Sequence, residues 1–124
     1  MNHLQTFESA CSYLGKEPIL PIVNNIDEKH SKAIVAAYKL FTISEASWKQ
    51  MNMEIDWNNF EQTKYYPWFD LEDSSGSAPG FSFFVYVCGF SVSTVGSRLV
   101  FPSREIAEYV GKTHEELYKD FMVL

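Results

Sequence analysis

The sequence predicts a single α+β domain, in which a three-stranded, mainly antiparallel sheet packs against one long helix. A chain of 124 residues has the length of one domain. Apolar residues recur at helical spacing between residues 28 and 50. Half of the aromatic residues lie between Lys64 and Phe101, where apolar side chains follow the pattern of strands. Shorter N- and C-terminal helices are expected to cover the remaining core.

The N-terminal region predicts a short helix over residues 3–14, followed by a connector. Four apolar residues share one helical face, and Gly15 is a suitable C-terminal stop. Pro18 and Pro21 favour an extended chain, and the apolar residues around them are expected to pack onto the core. The residues of the helical face are Leu4, Phe7, Cys11 and Leu14.

The long helix is predicted to begin near Asp27 or Ser31 and to end near Gln50. Both Asp and Ser are favourable N-cap residues, because their side chains accept hydrogen bonds from the first backbone N–H groups. An apolar stripe with 3-4-3-4-3 spacing predicts the buried face. It comprises Ile34, Ala37, Phe41, Ser44, Trp48 and Met51.

Three strands are predicted at 64–71, 81–90 and 95–101. Pro67 cannot donate to a ladder, so the first strand is expected at an edge or to be bulged there. Both faces of the second strand are apolar, which predicts a central strand covered on both sides.

Two helices are predicted at the C-terminal end. Ser103 is the expected N-cap of a helix that Gly111 ends. Thr113 and Glu116 have the spacing of a capping box for the last helix. His114 falls in the first turn of that helix and is expected to be exposed.

Composition excludes some classes of function. The formal net charge of −6 disfavours binding to nucleic acid and to anionic membranes, both of which need clustered Lys and Arg. No apolar run reaches the roughly 18 residues of a membrane span, and the first residues do not resemble a signal peptide. A cytoplasmic protein is therefore expected, with Cys11 and Cys88 as buried, reduced thiols.

The motifs of common catalytic and metal sites are missing from the sequence. His3, His30 and His114 are far apart, and no Cys-x-x-Cys, G-x-S-x-G or glycine-rich phosphate motif accompanies them. We therefore predict no catalytic, metal or cofactor-binding residue and no enzymatic activity. Carboxylates are frequent over residues 54–73, which predicts either a solvated acidic loop or a site.

Tyr66, Trp68 and Arg98 are the predicted partner-binding residues. Tyr66 and Trp68 share one face of the first strand, and aromatic and arginine side chains commonly dominate protein interfaces. Arg98 has two interpretations. It either forms a structural ion pair with Asp70 or Glu72, or it binds an anion or a carboxylate of a partner.

Four segments of the chain resemble a known family. They are KYYPWFD at 64–70, GSRL at 96–99, EIAEY at 105–109 and LYKDF at 117–121. They resemble, in order, a family of small uncharacterised proteins from Bacteroidetes genomes and their phages or mobile elements. The resemblance covers about residues 30–124 and leaves 1–25 outside, and the loop after Leu71 is longer here. It implies a protein of the bacterial cytoplasm or a virion component, and it brings no activity or catalytic residue.

The leading hypothesis is a non-enzymatic interaction protein of phage or mobile-element origin, whose partner is a host or phage protein or a second copy. One alternative is a small ligand-binding or hydrolytic domain that uses Arg98 and nearby carboxylates. The other is a nucleic-acid binder or weak DNA mimic. It is disfavoured because the aromatic region has no Lys or Arg from Tyr65 to Ser97, whereas base-stacking surfaces combine aromatic and basic residues.

Overall fold

The computed structural model describes residues 1–59, 61–70, 82–91 and 98–123, with the backbone alone for Trp68, Asp70 and residues 82–91. These residues are mainly helical. A 3-10 turn, Asn2–Leu4, precedes six elements. In chain order they are α1 (Phe7–Leu14), α2 (Glu28–Gln50), β1 (Lys64–Asp70), β2 (Ser82–Ser91), α3 (Arg104–Thr113) and α4 (Glu115–Met122).

Helix α1 begins and ends through local interactions. Thr6 and Ser9 form a capping box, in which each side chain accepts a hydrogen bond from the backbone N–H of the other. Gly15 ends the helix with φ of 75°, in the left-handed region that glycine adopts without strain. The predicted stop at Gly15 is confirmed, and α1 packs against α2.

Helix α2 is the centre of the fold, and its burial differs from the predicted single stripe. Asp27 caps it by accepting a hydrogen bond from the Lys29 N–H. Ile34 and Met51, at the ends of the predicted stripe, are 44% and 45% exposed. Between Leu40 and Trp48 the helix is buried on most sides, because α1, α4 and residues 98–101 surround it. One helical stripe therefore does not describe its contacts.

The predicted three-stranded α+β sheet is wrong. Within the described residues β1 pairs antiparallel with β2, and the predicted third strand is reduced to one isolated bridge between Tyr65 and Phe101. Residues 95–97 of that strand lie outside the described residues. At Tyr65, strand β1 has a backbone partner on each side, Phe90 of β2 and Phe101. The expected irregularity at Pro67 is confirmed, because the register shifts between Pro67 and Phe69.

Hydrogen bonds to α2 explain why residues 98–101 do not continue as a strand. The Ser44 hydroxyl and the Trp48 indole N–H both donate to the Val100 carbonyl oxygen, at 2.7 and 2.8 Å. Ser44 also approaches the Arg98 carbonyl oxygen at 3.3 Å. These carbonyls bind a helix instead of a neighbouring strand, so the pairing is confined to Phe101.

The two C-terminal helices begin differently from each other. Ser103 caps α3 by accepting a hydrogen bond from the Ile106 N–H, as predicted. Gly111 does not end α3, which continues to Thr113 and buries Gly111. The predicted Thr113–Glu116 capping box is wrong too, because the N-cap of α4 is His114 and its side chain makes no capping bond.

His114 is buried, contrary to the prediction that it is exposed. It is 8% exposed, and its Nε2 lies 2.7 Å from the Leu4 carbonyl oxygen. Because a carbonyl only accepts, Nε2 carries the hydrogen. This bond joins the 3-10 turn to the junction of α3 and α4. Burial lowers the pKa of His114, although the hydrogen bond to Leu4 opposes that shift.

The connector between α1 and α2 was predicted to pack onto the core, but its apolar side chains are exposed. Ile19 and Ile22 are 70% and 85% exposed, and Leu20 is 41% exposed. Pro18 and Pro21 keep this part of the chain out of regular structure. Among the residues that the structure describes, no helix has both the length and the apolar character needed to cross a membrane.

We expect Ser44→Ala to lower the free energy of unfolding by about 1 kcal/mol, because a buried hydrogen bond is lost while Trp48 still donates to Val100. Ser47→Ala is the matched control. The Ser47 hydroxyl bonds only to the Ser44 carbonyl oxygen one turn away, and Ala favours a helix. Urea unfolding of both variants tests this, and an equal loss would contradict the role assigned to Ser44.

We expect the stability of the protein to fall as the pH is lowered through about 6.5, the ordinary pKa of His. The pKa of His114 is lowered in the folded state, so below this pH the unfolded chain binds more protons. His114→Gln retains an N–H donor and does not titrate. The stability difference between the wild-type protein and this variant should therefore shrink from pH 8 toward about pH 5.5.

Thermal unfolding across that pH range measures this difference. His30→Gln is the control, since His30 is exposed. It should retain the pH dependence of the wild-type protein. A difference between wild type and His114→Gln that does not change with pH would contradict the assignment.

Candidate functional site

A groove lies between the end of α1, the second half of α2, residues 52–55 and Arg98. Its volume is about 920 Å³. We call it the Arg98 groove. Its apolar lining comprises Leu14, Phe41, Trp48, Met53 and Ile55, and its charged lining comprises Glu45, Lys49, Glu54 and Arg98.

Arg98 is exposed, and its guanidinium lies over an aromatic ring. Its guanidinium carbon lies 4.5 Å from the centroid of the Phe41 ring, which is cation–π geometry. Its carbonyl oxygen lies 3.3 Å from the Ser44 hydroxyl. None of the ion pairs among the described residues includes Arg98. Its predicted structural partners, the side chains of Asp70 and Glu72, lie outside the described residues.

The groove has two cations, Arg98 and Lys49, and two carboxylates, Glu45 and Glu54, so its charges balance. Lys49 donates to the Tyr13 carbonyl oxygen at 3.0 Å and lies 4.9 Å from the centroid of the Tyr13 ring, so α1 holds its ammonium. Glu45 and Glu54 are exposed at the groove. The groove therefore combines an apolar surface with two exposed carboxylates and two exposed cations, of which Lys49 is bound to Tyr13 and Arg98 lies over Phe41.

Tyr66 does not line the Arg98 groove. Its side chain is half-buried. The side chain of Trp68 lies outside the described residues. Phe69, on the opposite face of β1, is buried and stacks on Tyr118 with ring centroids 4.7 Å apart. Of the predicted partner-binding residues whose side chains the structure describes, Arg98 lines the groove and Tyr66 does not.

Sequence reasoning missed most of the groove. The apolar stripe predicts Phe41 in the core, and the spacing of Glu45 and Lys49 predicts an i,i+4 ion pair on the helix and no binding role. The spacing nevertheless places Phe41, Glu45 and Lys49 together, because they are four residues apart and share one face of α2. Nothing local indicated that Arg98, more than fifty residues later in the chain, would lie over Phe41.

The acidic region 54–73 is, where the structure describes it, a hydrogen-bonded connector. The Gln62 side chain accepts from the Asp56 N–H and donates to the Glu54 carbonyl oxygen. Asp56 and Asn59 accept backbone bonds two residues ahead, as in Asx turns. These bonds shape the segment that carries Glu54 to the groove.

Lys64 is fully buried, which the sequence did not predict. Its ammonium donates to the Gln62 carbonyl oxygen at 3.2 Å and lies 5.0 Å from the centroid of the Trp57 ring. Trp57 is half-buried against this ammonium. Lys64 therefore joins the connector to the start of β1.

The reactive side chains show no further constellation in the described part of the chain. No group of three or more His, Cys, Asp or Glu residues is placed to hold a metal ion there. Cys11 is a buried free thiol, as predicted, and burial raises its pKa, although nearby Lys16 opposes this. The side chain of Cys88 lies outside the described residues.

Comparison with known proteins found no relative. No family model matches this chain, and no curated protein or solved structure is significantly similar to it. The resemblance to proteins of Bacteroidetes and their phages therefore stays a prediction from its four segments.

We expect Lys64→Ala to lower the free energy of unfolding by about 2–4 kcal/mol, because it leaves a cavity at a fully buried position. Lys64→Met keeps a similar volume and removes the buried charge, so it should retain most of the stability. Urea unfolding compares the two variants. If Met is as damaging as Ala, the ammonium contacts with Gln62 and Trp57 contribute more than the packing.

Proposed function

We propose that this protein is a non-enzymatic interaction domain that binds a partner through the Arg98 groove. The observation that carries the proposal is an exposed guanidinium held over Phe41 beside an apolar surface. Arginine and aromatic residues are frequent among the side chains that dominate binding energy at interfaces. A cation that is already oriented loses little conformational freedom when it binds.

The chemistry of the groove favours a partner that presents a carboxylate next to apolar side chains. The guanidinium offers a planar set of donors that fits a carboxylate with two parallel hydrogen bonds. Leu14, Phe41 and Trp48 provide apolar surface alongside it. A volume of about 920 Å³ accommodates several side chains of an extended peptide.

A second candidate function uses the same groove. Glu45 and Glu54 line it together with Arg98, which is the combination expected of a small ligand-binding or hydrolytic domain. In that case Arg98 would bind an anionic group of a small molecule, and one carboxylate would serve as a general acid or base. Both carboxylates are exposed, so the geometry gives this candidate less support than the interaction domain.

Nucleic acid is the least supported ligand, because the chain carries a net charge of −6 and the charges of the groove are balanced. The resemblance to proteins of Bacteroidetes and their phages favours action in the bacterial cytoplasm, with a virion component as the alternative.

Affinity capture tests the proposed function. The wild-type protein and Arg98→Glu are immobilised and exposed to a lysate of a Bacteroidetes host, with and without phage infection, and captured proteins are identified by mass spectrometry. We expect a partner that the wild-type protein retains and that Arg98→Glu loses at least ten-fold, because the variant replaces the recognising cation with a repelling carboxylate.

Lys112→Glu is the matched control, because Lys112 is exposed and does not line the groove. It makes the same change in charge and should retain the partner. Capture that is equal in wild type and Arg98→Glu, or that is lost equally in both variants, would contradict a role for the groove.

A further inference from the structure

The connector between α1 and α2 carries the most exposed apolar side chains among the described residues, within residues 16–23. Ile22 is 85% exposed and Ile19 is 70% exposed. We call residues 16–23 the apolar segment. The backbone groups of residues 20–23 make no hydrogen bond within the described part of the chain. The segment therefore presents both apolar side chains and unsatisfied backbone groups to solvent.

The prolines of the apolar segment restrict its backbone. Pro18 and Pro21 have fixed φ angles and lack an N–H, so the segment cannot extend either neighbouring helix. The Ile19 N–H donates to the Glu17 carbonyl oxygen at 2.9 Å, which makes a tight turn centred on Pro18. A backbone restricted in this way loses less conformational entropy when it binds, and proline-containing peptides commonly bind aromatic-lined grooves.

The Arg98 groove has the complementary surface. Phe41 and Trp48 provide its aromatic lining, and Arg98 provides an exposed cation. Within the apolar segment, Glu17 is exposed and lies two residues before Ile19. A groove that holds apolar side chains and one carboxylate matches this order of residues.

We propose that the apolar segment of one copy of this chain binds the Arg98 groove of a second copy, with Glu17 paired to Arg98. This rests on the proposed function, since it names the partner of the same groove. In a two-fold symmetric dimer each copy contributes one segment and one groove, so the contact forms twice.

The structure favours a second copy over the same chain. The segment starts two residues after Leu14, which lines the groove. The left-handed Gly15, together with the hydrogen bond from the Lys16 N–H to the Cys11 carbonyl oxygen, fixes the direction in which the segment leaves α1. Further along, Ile22 and Val23 line a different depression, beside the start of α2. None of residues 16–23 lines the Arg98 groove of its own chain.

Sedimentation equilibrium over a wide range of protein concentration tests the proposal on the full chain. The wild-type protein is expected to reach the mass of a dimer. Ile22→Asp and Arg98→Glu should each raise the dissociation constant at least ten-fold, the first in the segment and the second in the groove. Ile34→Asp is the matched control, since Ile34 is also exposed but belongs to neither surface, and it should associate as wild type does.

Two combinations distinguish this contact from a general loss of association. Glu17→Arg together with Arg98→Glu reverses both charges of the pair and should restore at least part of the association. An equimolar mixture of Ile22→Asp and Arg98→Glu contains one intact groove and one intact segment. If each substitution abolishes the contact that it touches, the mixed dimer keeps one complete contact whereas each variant alone keeps none, so the mixture should associate more tightly than either variant alone. Circular dichroism establishes that each variant is folded.

A wild-type protein that stays monomeric at every concentration would overturn the proposal. So would a dimer that neither Ile22→Asp nor Arg98→Glu weakens, or charge reversal and mixing that restore nothing. If the protein is monomeric but captures a partner that Arg98→Glu loses, the proposed function stands with another partner. If neither association nor capture depends on Arg98, both fail.

Discussion

The Val100 carbonyl group is the point on which the arrangement of this protein depends. A buried carbonyl needs a hydrogen-bond donor, and this one receives two from successive turns of α2, the Ser44 hydroxyl and the Trp48 indole N–H. The bonds fix residues 98–101 against the helix. On one side they hold Arg98 over Phe41, and on the other they place Phe101 beside Tyr65 of β1. The two bonds to Val100 therefore account both for the position of Arg98 at the groove and for the single bridge between Phe101 and β1.

The same interaction explains why a helix with polar residues in its middle can be the centre of the core. Thr42, Ser44 and Ser47 are buried in α2, and each hydroxyl has an acceptor. Thr42 and Ser47 bond to carbonyl oxygens of the preceding turn, whereas Ser44 bonds to a distant segment. The satisfied hydroxyls offset the cost of burying polar groups and let the helix contact neighbours on most sides.

Among the described residues, aromatic rings hold several cations of this acidic protein. Lys49 lies over Tyr13, Lys64 over Trp57 and Arg98 over Phe41, at centroid distances of 4.5 to 5.0 Å. The ion pairs found among the described residues lie on the exposed surface, where such pairs contribute little to stability. Aromatic stacking leaves the carboxylates of the groove accessible and keeps the guanidinium of Arg98 oriented toward solvent, which is the basis of the binding role proposed for it.

The sequence by itself determined features that depend on neighbouring residues: the stop at Gly15 and the cap at Ser103. It also narrowed the start of α2 to Asp27 or Ser31, and it marked Pro67 as the place of an edge or a bulge in β1. Each follows from the side chain or backbone of one residue and those next to it. It also singled out Arg98, but it joined Arg98 to Tyr66 and Trp68 instead of to Phe41. Only the tertiary structure decided that His114 is buried against Leu4, that residues 98–101 bind a helix and that the connector after α1 stays exposed. The physical reason is distance along the chain: the partners of His114 and Val100 lie more than fifty residues away, and no local pattern encodes such a contact.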